Sequence, residues 1–424
     1  MKKRLIGIII ICAMIIFSAT SFYSPSLAYL QPQIEPISKV EIEYPAFIKV
    51  ITVNNQKRAF VSSFGRNFEG QVNMIKDVSE LLNSSQVSKE RITGKIKWPN
   101  SVTLCKENID GRTILAIAGG FFRHSPVMPD QSGAINLVTM DSGEIIQHEI
   151  TNYKRGWFYH EVLWKDMNND GLLDIVTARS NFSPLNPNPK GELIWLEQPQ
   201  TDPLSNKWEE HIITEGPEIY FELIDLDGDG TDEIIAAESF QEKLCVYWKD
   251  GKKWNRKIIA EDLGVLYSAK TTDLNKDGNL DLLVTNHVSD ARAGVFCYEI
   301  PSDFKNAQWK KHVLLEGIET RKAGPGQASP GEAIAFYPTN DESGKPLIAV
   351  SGDGSQRVHL LTPNSQNTSN WEYTESILYE TIDSVTGGMC FEDLDGDGFK
   401  ELLVPIYDSH YICIMSMKDL VQNK

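Results

Sequence analysis

Beyond residue 40 the chain is written in short apolar runs, rich in β-branched residues and too brief for helices. Leu173-Asp-Ile-Val-Thr177, Glu233-Ile-Ile-Ala-Ala237, Leu280-Asp-Leu-Leu-Val284 and Glu401-Leu-Leu-Val404 are the plainest. Each is followed by a second run, as in Leu193–Leu196, Leu244–Trp248, Val295–Tyr298, Val358–Leu361 and Tyr411–Ile414. A further run opens with tryptophan and closes with aliphatics: Trp208–Ile212, Trp254–Ile258, Trp309–Val313 and, more loosely, Trp371–Ile377. With the strand that precedes each first run, this makes four strands about every 50 residues, the period of a propeller blade.

Polar punctuation repeats with the strands. The segments Asp166–Asp174, Asp225–Glu233, Asp273–Asp281 and Asp393–Glu401 share the pattern D-x-[DN]-x-D-G-x-x-[DE], and their first residues lie 59, 48 and 120 positions apart. The last gap is two repeats long, and a degenerate unit fills it: Gly331–Tyr337, a loop through Asn340, Asp341 and Gly344, then Leu347–Gly352. Two further degenerate units precede the first good one, at Val102–Ala118 and Phe47–Ser63. Inner strands starting near residues 47, 102, 160, 220, 267, 331 and 387 predict an all-β, seven-bladed β-propeller with four-stranded blades. The last blade has only three strands of its own. Val40–Tyr44, a spare strand before the first blade, is expected to complete it and close the ring, because an open blade edge leaves backbone N–H and C=O groups unpaired.

The acidic loops predict a metal. Positions 1, 3, 5 and 9 offer side-chain oxygens from Asp166, Asn168, Asp170 and Asp174; Asp225, Asp227, Asp229 and Glu233; Asp273, Asn275, Asp277 and Asp281; and Asp393, Asp395, Asp397 and Glu401. Position 7, at Leu172, Thr231, Asn279 and Phe399, can add a main-chain carbonyl. Calcium takes six to eight such hard oxygens, and glycine at position 6 permits the sharp bend that gathers them. Zinc is disfavoured, since no Cys or His lies within the loops. An EF-hand would need Glu at position 12 and helical flanks, but position 12 is Thr177, Ala236, Val284 and Val404, and both flanks are strand-like. Three or four carboxylates per loop repel one another unless a cation joins them. About four Ca²⁺ sites are expected.

At these residues the chain resembles the FG-GAP or VCBS repeat proteins, as in the N-terminal propeller of integrin α-subunits. The resemblance spans roughly residues 40–417, strong over 158–314 and 385–417 and degenerate over 46–150 and 330–378. It implies that each loop joins the two inner strands of a blade and binds calcium there. It does not fix an activity, because one scaffold hosts many functions.

The amino terminus changes the setting. Lys2, Lys3 and Arg4, the apolar run Leu5–Phe17 and the small residues Ser26-Leu27-Ala28 read as a signal peptide cut after Ala28, which leaves a single domain over 29–424 outside the cytoplasm. An uncleaved anchor is the rival, although the run is shorter than a membrane span needs. Formal charge is −17, and loss of those three positive charges makes it −20, which argues against nucleic acid as a partner. Cys12 lies in the leader; Cys105, Cys245, Cys297, Cys390 and Cys413 are odd in number and widely spread, so buried free thiols are expected. Asn83, Asn181 and Asn367 open N-x-[ST] sequons compatible with surface loops.

Propeller ligands usually sit at one mouth of the central channel, among the segments entering the inner strands. Here these carry Trp157, Tyr159, His160 and Glu161, then Tyr220 and Glu222, then Tyr267 and Lys270. The Gly- and Pro-rich stretch 319–331, with Arg321, could fold over the mouth as a lid. Tyr159, Tyr220, Tyr267 and Arg321 are candidate ligand contacts; His160, Glu222 and Lys270 are candidate acid–base groups. The plainer alternative is that the aromatics pack between blades and His160 is structural. No nucleophile elbow, zincin, phosphate-loop or dinucleotide motif is present. Two functions follow: a calcium-stabilised binding or adhesion module for carbohydrate or an extracellular protein, or a secreted carbohydrate-active lyase or hydrolase.

Overall fold

The computed structural model describes residues 34–422, apart from 66–68, 95, 121–131, 141–144, 183–185, 187, 252 and 325–326; the expected signal segment 1–28 lies outside the described residues. The described strands form seven antiparallel sheets, each a propeller blade. Inner strands are Pro45–Val53, Pro99–Leu104, Phe158–Lys165, Tyr220–Ile224, Leu266–Thr272, Ala333–Phe336 and Cys390–Glu392. In the third to sixth blades the four strands run in chain order from the channel outward. In the first, Lys89–Arg91 and Ile96–Lys97 share the outer position beside Glu69–Ile75.

Burial explains the sequence pattern. From the second blade to the seventh the second strands, among them Asp174–Ser180, Glu233–Glu238, Asp281–Asn286 and Glu401–Ile406, are buried at every residue. They lie mid-blade and are covered on both faces, so they read as continuous apolar runs. Seven apolar cores hold the ring, one between each pair of neighbouring blades. Ile48, Ala59 and Val61 of the first blade pack with Leu403, Ile412 and Ile414 of the seventh.

The seventh sheet takes its outermost strand from Ser38–Glu41, paired antiparallel with Tyr411–Ser416 in the register Ser38↔Ile414 to Glu41↔Tyr411. This strand is displaced from the expected Val40–Tyr44, because Tyr44 has φ 46° and already turns into the first blade. Tryptophans 208 and 309 stand just before their strands, Glu209–Glu215 and Lys310–Glu316. Their indole N–H groups donate to Pro203 O (2.9 Å) and Phe304 O (3.1 Å), pinning the preceding loop onto the core. Cys105, Cys245, Cys297, Cys390 and Cys413 are free, and all but the half-buried Cys390 are buried. No helix among the described residues is long and apolar enough to cross a membrane.

Candidate functional site

Each acidic loop joins the inner strand of its blade to the second strand, and all four are built alike. The first aspartate caps the turn: Asp225 Oδ1 accepts from Gly228 N (2.8 Å) and Asp229 N (3.1 Å), and its Oδ2 from Gly230 N (2.9 Å). Asp166 does the same in its loop, Asp273 accepts from Asp277 N and Gly278 N, and Asp393 from Gly396 N and Gly398 N. Position 9 is buried and accepts from the position-2 N–H, as with Glu233 from Leu226 N (2.9 Å) and Glu401 from Leu394 N (3.0 Å). Position 6 is glycine with φ between 86° and 91° in Gly171, Gly230, Gly278 and Gly398. A Cβ there would meet nothing within 4 Å, so backbone conformation, not space, selects glycine.

This architecture crowds carboxylates. Ligand oxygens of Asp225, Asp227 and Asp229 lie within 4.8 Å of one another, as do those of Asp393, Asp395 and Glu401. Burial pushes Glu233 up to about 7 and Asp281 up to about 7, and raises Asp174 and Glu401. Lysines partly offset the charge: Lys305 Nζ is 2.8 Å from Asp227 Oδ2 and Lys418 Nζ 3.3 Å from Asp397 Oδ2. The donors are all hard oxygens around a tight turn, which fits a calcium-sized cation and not a thiolate- or imidazole-seeking metal. In the first and third loops Asn168 and Asn275 turn their Nδ2 toward Asp170 (3.3 Å) and Asp277 (3.0 Å), which keeps their amide oxygens on the backbone N–H of the same residues. The degenerate sixth blade replaces the acidic set with Lys345, whose buried ammonium donates to Asn367 O and Asn370 O.

The opposite end of the strands forms a different site. Inner strands begin there and second strands end there, and the two sets of ends surround a cavity of about 490 Å³. Its wall is aromatic. Phe64 stacks on Trp98 with centroids 4.7 Å apart, Phe182 stacks on Phe240 at 3.8 Å, and a chain of tilted or edge contacts runs from His160 through Tyr220 and Tyr267 to His287. Phe47, Phe158 and Tyr407 complete the ring of side chains. Polar groups are few: Asn100, Gln327, Thr386, the two histidines and Asp353 are the main ones. Burial holds the His160 imidazole down at about 4, so it is neutral at physiological pH. Below the aromatic cup a cavity of about 90 Å³ is lined by Lys49, Glu161, Lys270 and Glu332. Glu161, Glu332 and Glu222 outweigh the desolvation of the Lys270 ammonium and raise it above its usual range.

The sequence candidates therefore separate. His160, Tyr220 and Tyr267 line the cup, and Lys270 lies in the polar layer beneath it. Glu222 accepts from Thr271 N (2.7 Å) and sits 3.9 Å from Lys270 Nζ. Tyr159 is fully buried in the core between the second and third blades, on the face of its strand that alternation assigns to packing. Arg321 is paired with Glu380 at 2.5 Å, and its segment is fixed to the sixth blade by Arg321 N and Lys322 N, both donating to Gly354 O at 2.8 Å. Among the described residues of that segment, Gln327 and Ala328 reach the cup wall. Trp157 stacks under Lys154 and the buried Arg179. The residues missed, Phe182, Phe240, His287, Asp353 and Tyr407, follow the ends of second strands; the signal was the position just beyond each buried run.

Residues 225–284 match the FG-GAP-like repeat, a span that begins at the second acidic loop, crosses the fourth blade and includes the third loop. A search of curated proteins found no match. With its seven sheets and that matched span, the chain is a seven-bladed β-propeller carrying an FG-GAP-like repeat.

Proposed function

We propose that this protein is an exported, calcium-braced binding module that receives a carbohydrate or protein ligand in the aromatic cup. The observation that carries this reading is the cup itself: a cavity of about 490 Å³ walled by rings, at the end of the strands opposite the acidic loops. Pockets of this size and lining are where proteins hold ligands, and aromatic rings stack on the flat apolar faces of sugars and side chains. The loops and the cup then divide the work, with calcium in up to four blades stiffening the ring that shapes the cup. Ser38–Glu41 closes that ring by covering the edge of Tyr411–Ser416, and export follows from the amino-terminal segment read as a leader.

The test is a glycan and extracellular-protein array probed with the purified protein, with calcium and with excess chelator. Binding that weakens on chelation and on Tyr220→Ala is expected. Array binding indifferent to cup substitutions would move the site elsewhere, and release of a cleaved sugar would change the reading to an enzyme.

A further inference from the structure

Among the described residues the cup holds one acidic side chain among its rings, and that side chain is poorly matched by their charges. Asp353 follows the second strand of the sixth blade, Leu347–Ser351, and is positioned by its backbone N, which donates to Thr386 Oγ1 at 2.9 Å. Its side chain is 15% exposed. Among the described residues no lysine or arginine lies within 4 Å of its carboxylate; the one basic group at that limit is His287, with Nε2 4.0 Å from Asp353 Oδ2. The nearby Asp408 is already taken by Lys322, at 2.9 Å. Burial pushes the Asp353 carboxyl up to about 8, with Asp408 adding to the shift. A carboxyl group so placed gains most from an incoming positive charge.

The surroundings point the same way. Aromatic rings present negative π faces and attract cations, most strongly where water is excluded. His160 is neutral, and the layer below the cup sets Glu161, Glu222 and Glu332 against Lys49 and Lys270, so it adds no net positive charge. The whole chain carries −17, which favours the approach of cations over anions.

We propose that the cup is a site for a small organic cation, an ammonium group on an apolar body, with Asp353 as its counter-ion and the rings around it, Tyr267 and Tyr220 foremost, as its walls. This deepens the reading of the cup as a binding site and rests on it. The apolar body is required because most of the wall is ring and aliphatic surface, while the charge has one place to go.

Calorimetric titration of the full mature protein with three probes of similar size tests it: benzyltrimethylammonium, benzyl alcohol and phenylacetate. The cation should bind at least about tenfold more tightly than either of the others, and Asp353→Asn should remove that preference. The comparison on the unmodified protein stands whether or not the variant folds. Equal affinities for the cation and the alcohol, tighter binding of phenylacetate, or full cation binding by Asp353→Asn would each overturn the inference while leaving the cup a binding site. No binding of any probe would also overturn it; the broader reading then fails only if the array is negative as well.

Discussion

Glu218, just before the inner strand of the fourth blade, is 2% exposed, and its Oε2 accepts from Phe240 N at 2.6 Å. Burial pushes it up to about 8, and the nearby Glu238, itself bonded to Tyr247 and Arg256, adds to the shift. An unfolded glutamate titrates near about 4.3. A group raised in the fold contributes stability that is fully present below the unfolded value and is lost as pH rises through the folded one. Glu218→Gln keeps the acceptor without the charge, so its melting temperature should exceed that of the parent at pH 8 and match it near pH 4; the same offset at both pH values would contradict the assignment. Arg179 is the opposite case. Its side chain is fully buried and bonded to Glu192 (2.6 and 2.9 Å) and Glu210 (2.6 Å), over the ring of Trp157. Arg179→Ala leaves Glu192 and the partly exposed Glu210 with only Lys154, at 3.7 and 4.0 Å, and should cost about 3 kcal/mol in denaturant unfolding, and a loss under 1 kcal/mol would show that the cluster is dispensable. Neither residue was legible in the sequence. A lone Glu or Arg in a strand carries no mark of the partner that another strand brings to it.

The loops were the most legible elements, because a nine-residue motif encodes its own fold. Asp at position 1 caps N–H groups within five residues and Gly at position 6 takes the positive φ, so Asp225–Glu233 could be read without knowing its neighbours. Strand order was legible for the same reason, through local antiparallel hairpins. The cup was read only in part: His160, Tyr220 and Tyr267 lie on inner strands that the repeat located, whereas Asp353 and Phe240 lie on short turns after second strands, in blades whose turns differ. Tyr159 lies in the core beside His160 in the cup because adjacent strand residues face opposite sides, and a register shift of one exchanges cup for core. If the loops act independently, Asp227→Ala should lower bound calcium by one equivalent. Loss of all bound metal on that single change would mean that the sites are coupled across blades.

At the scale of the molecule the described residues form seven cores between neighbouring blades, and Ser38–Glu41 pairs with Tyr411–Ser416 in the seventh. Deleting residues 29–43 removes Ser38–Glu41 and exposes the edge of Tyr411–Ser416, so a protein begun at residue 44 should melt well below one begun at residue 29. Trimming a free terminus ordinarily costs little, and an unchanged melting temperature would remove the strand from the closure. The blade count was legible because the repeat survives in its apolar runs even where the acidic loop has decayed, as in Leu347–Ser351 beside Lys345. The strand paired with Tyr411–Ser416 is Ser38–Glu41 and not Val40–Tyr44, since the sequence could not reveal the left-handed turn at Tyr44. The proposed calcium in the acidic loops is tested most directly by a titration of chelator-stripped protein with calcium, followed by calorimetric melting. A native-only ligand at 100 times its Kd adds about 2.7 kcal/mol per site. About four equivalents taken up, with a raised melting temperature, is the predicted result; no uptake at millimolar calcium and identical melting in calcium and chelator would contradict it.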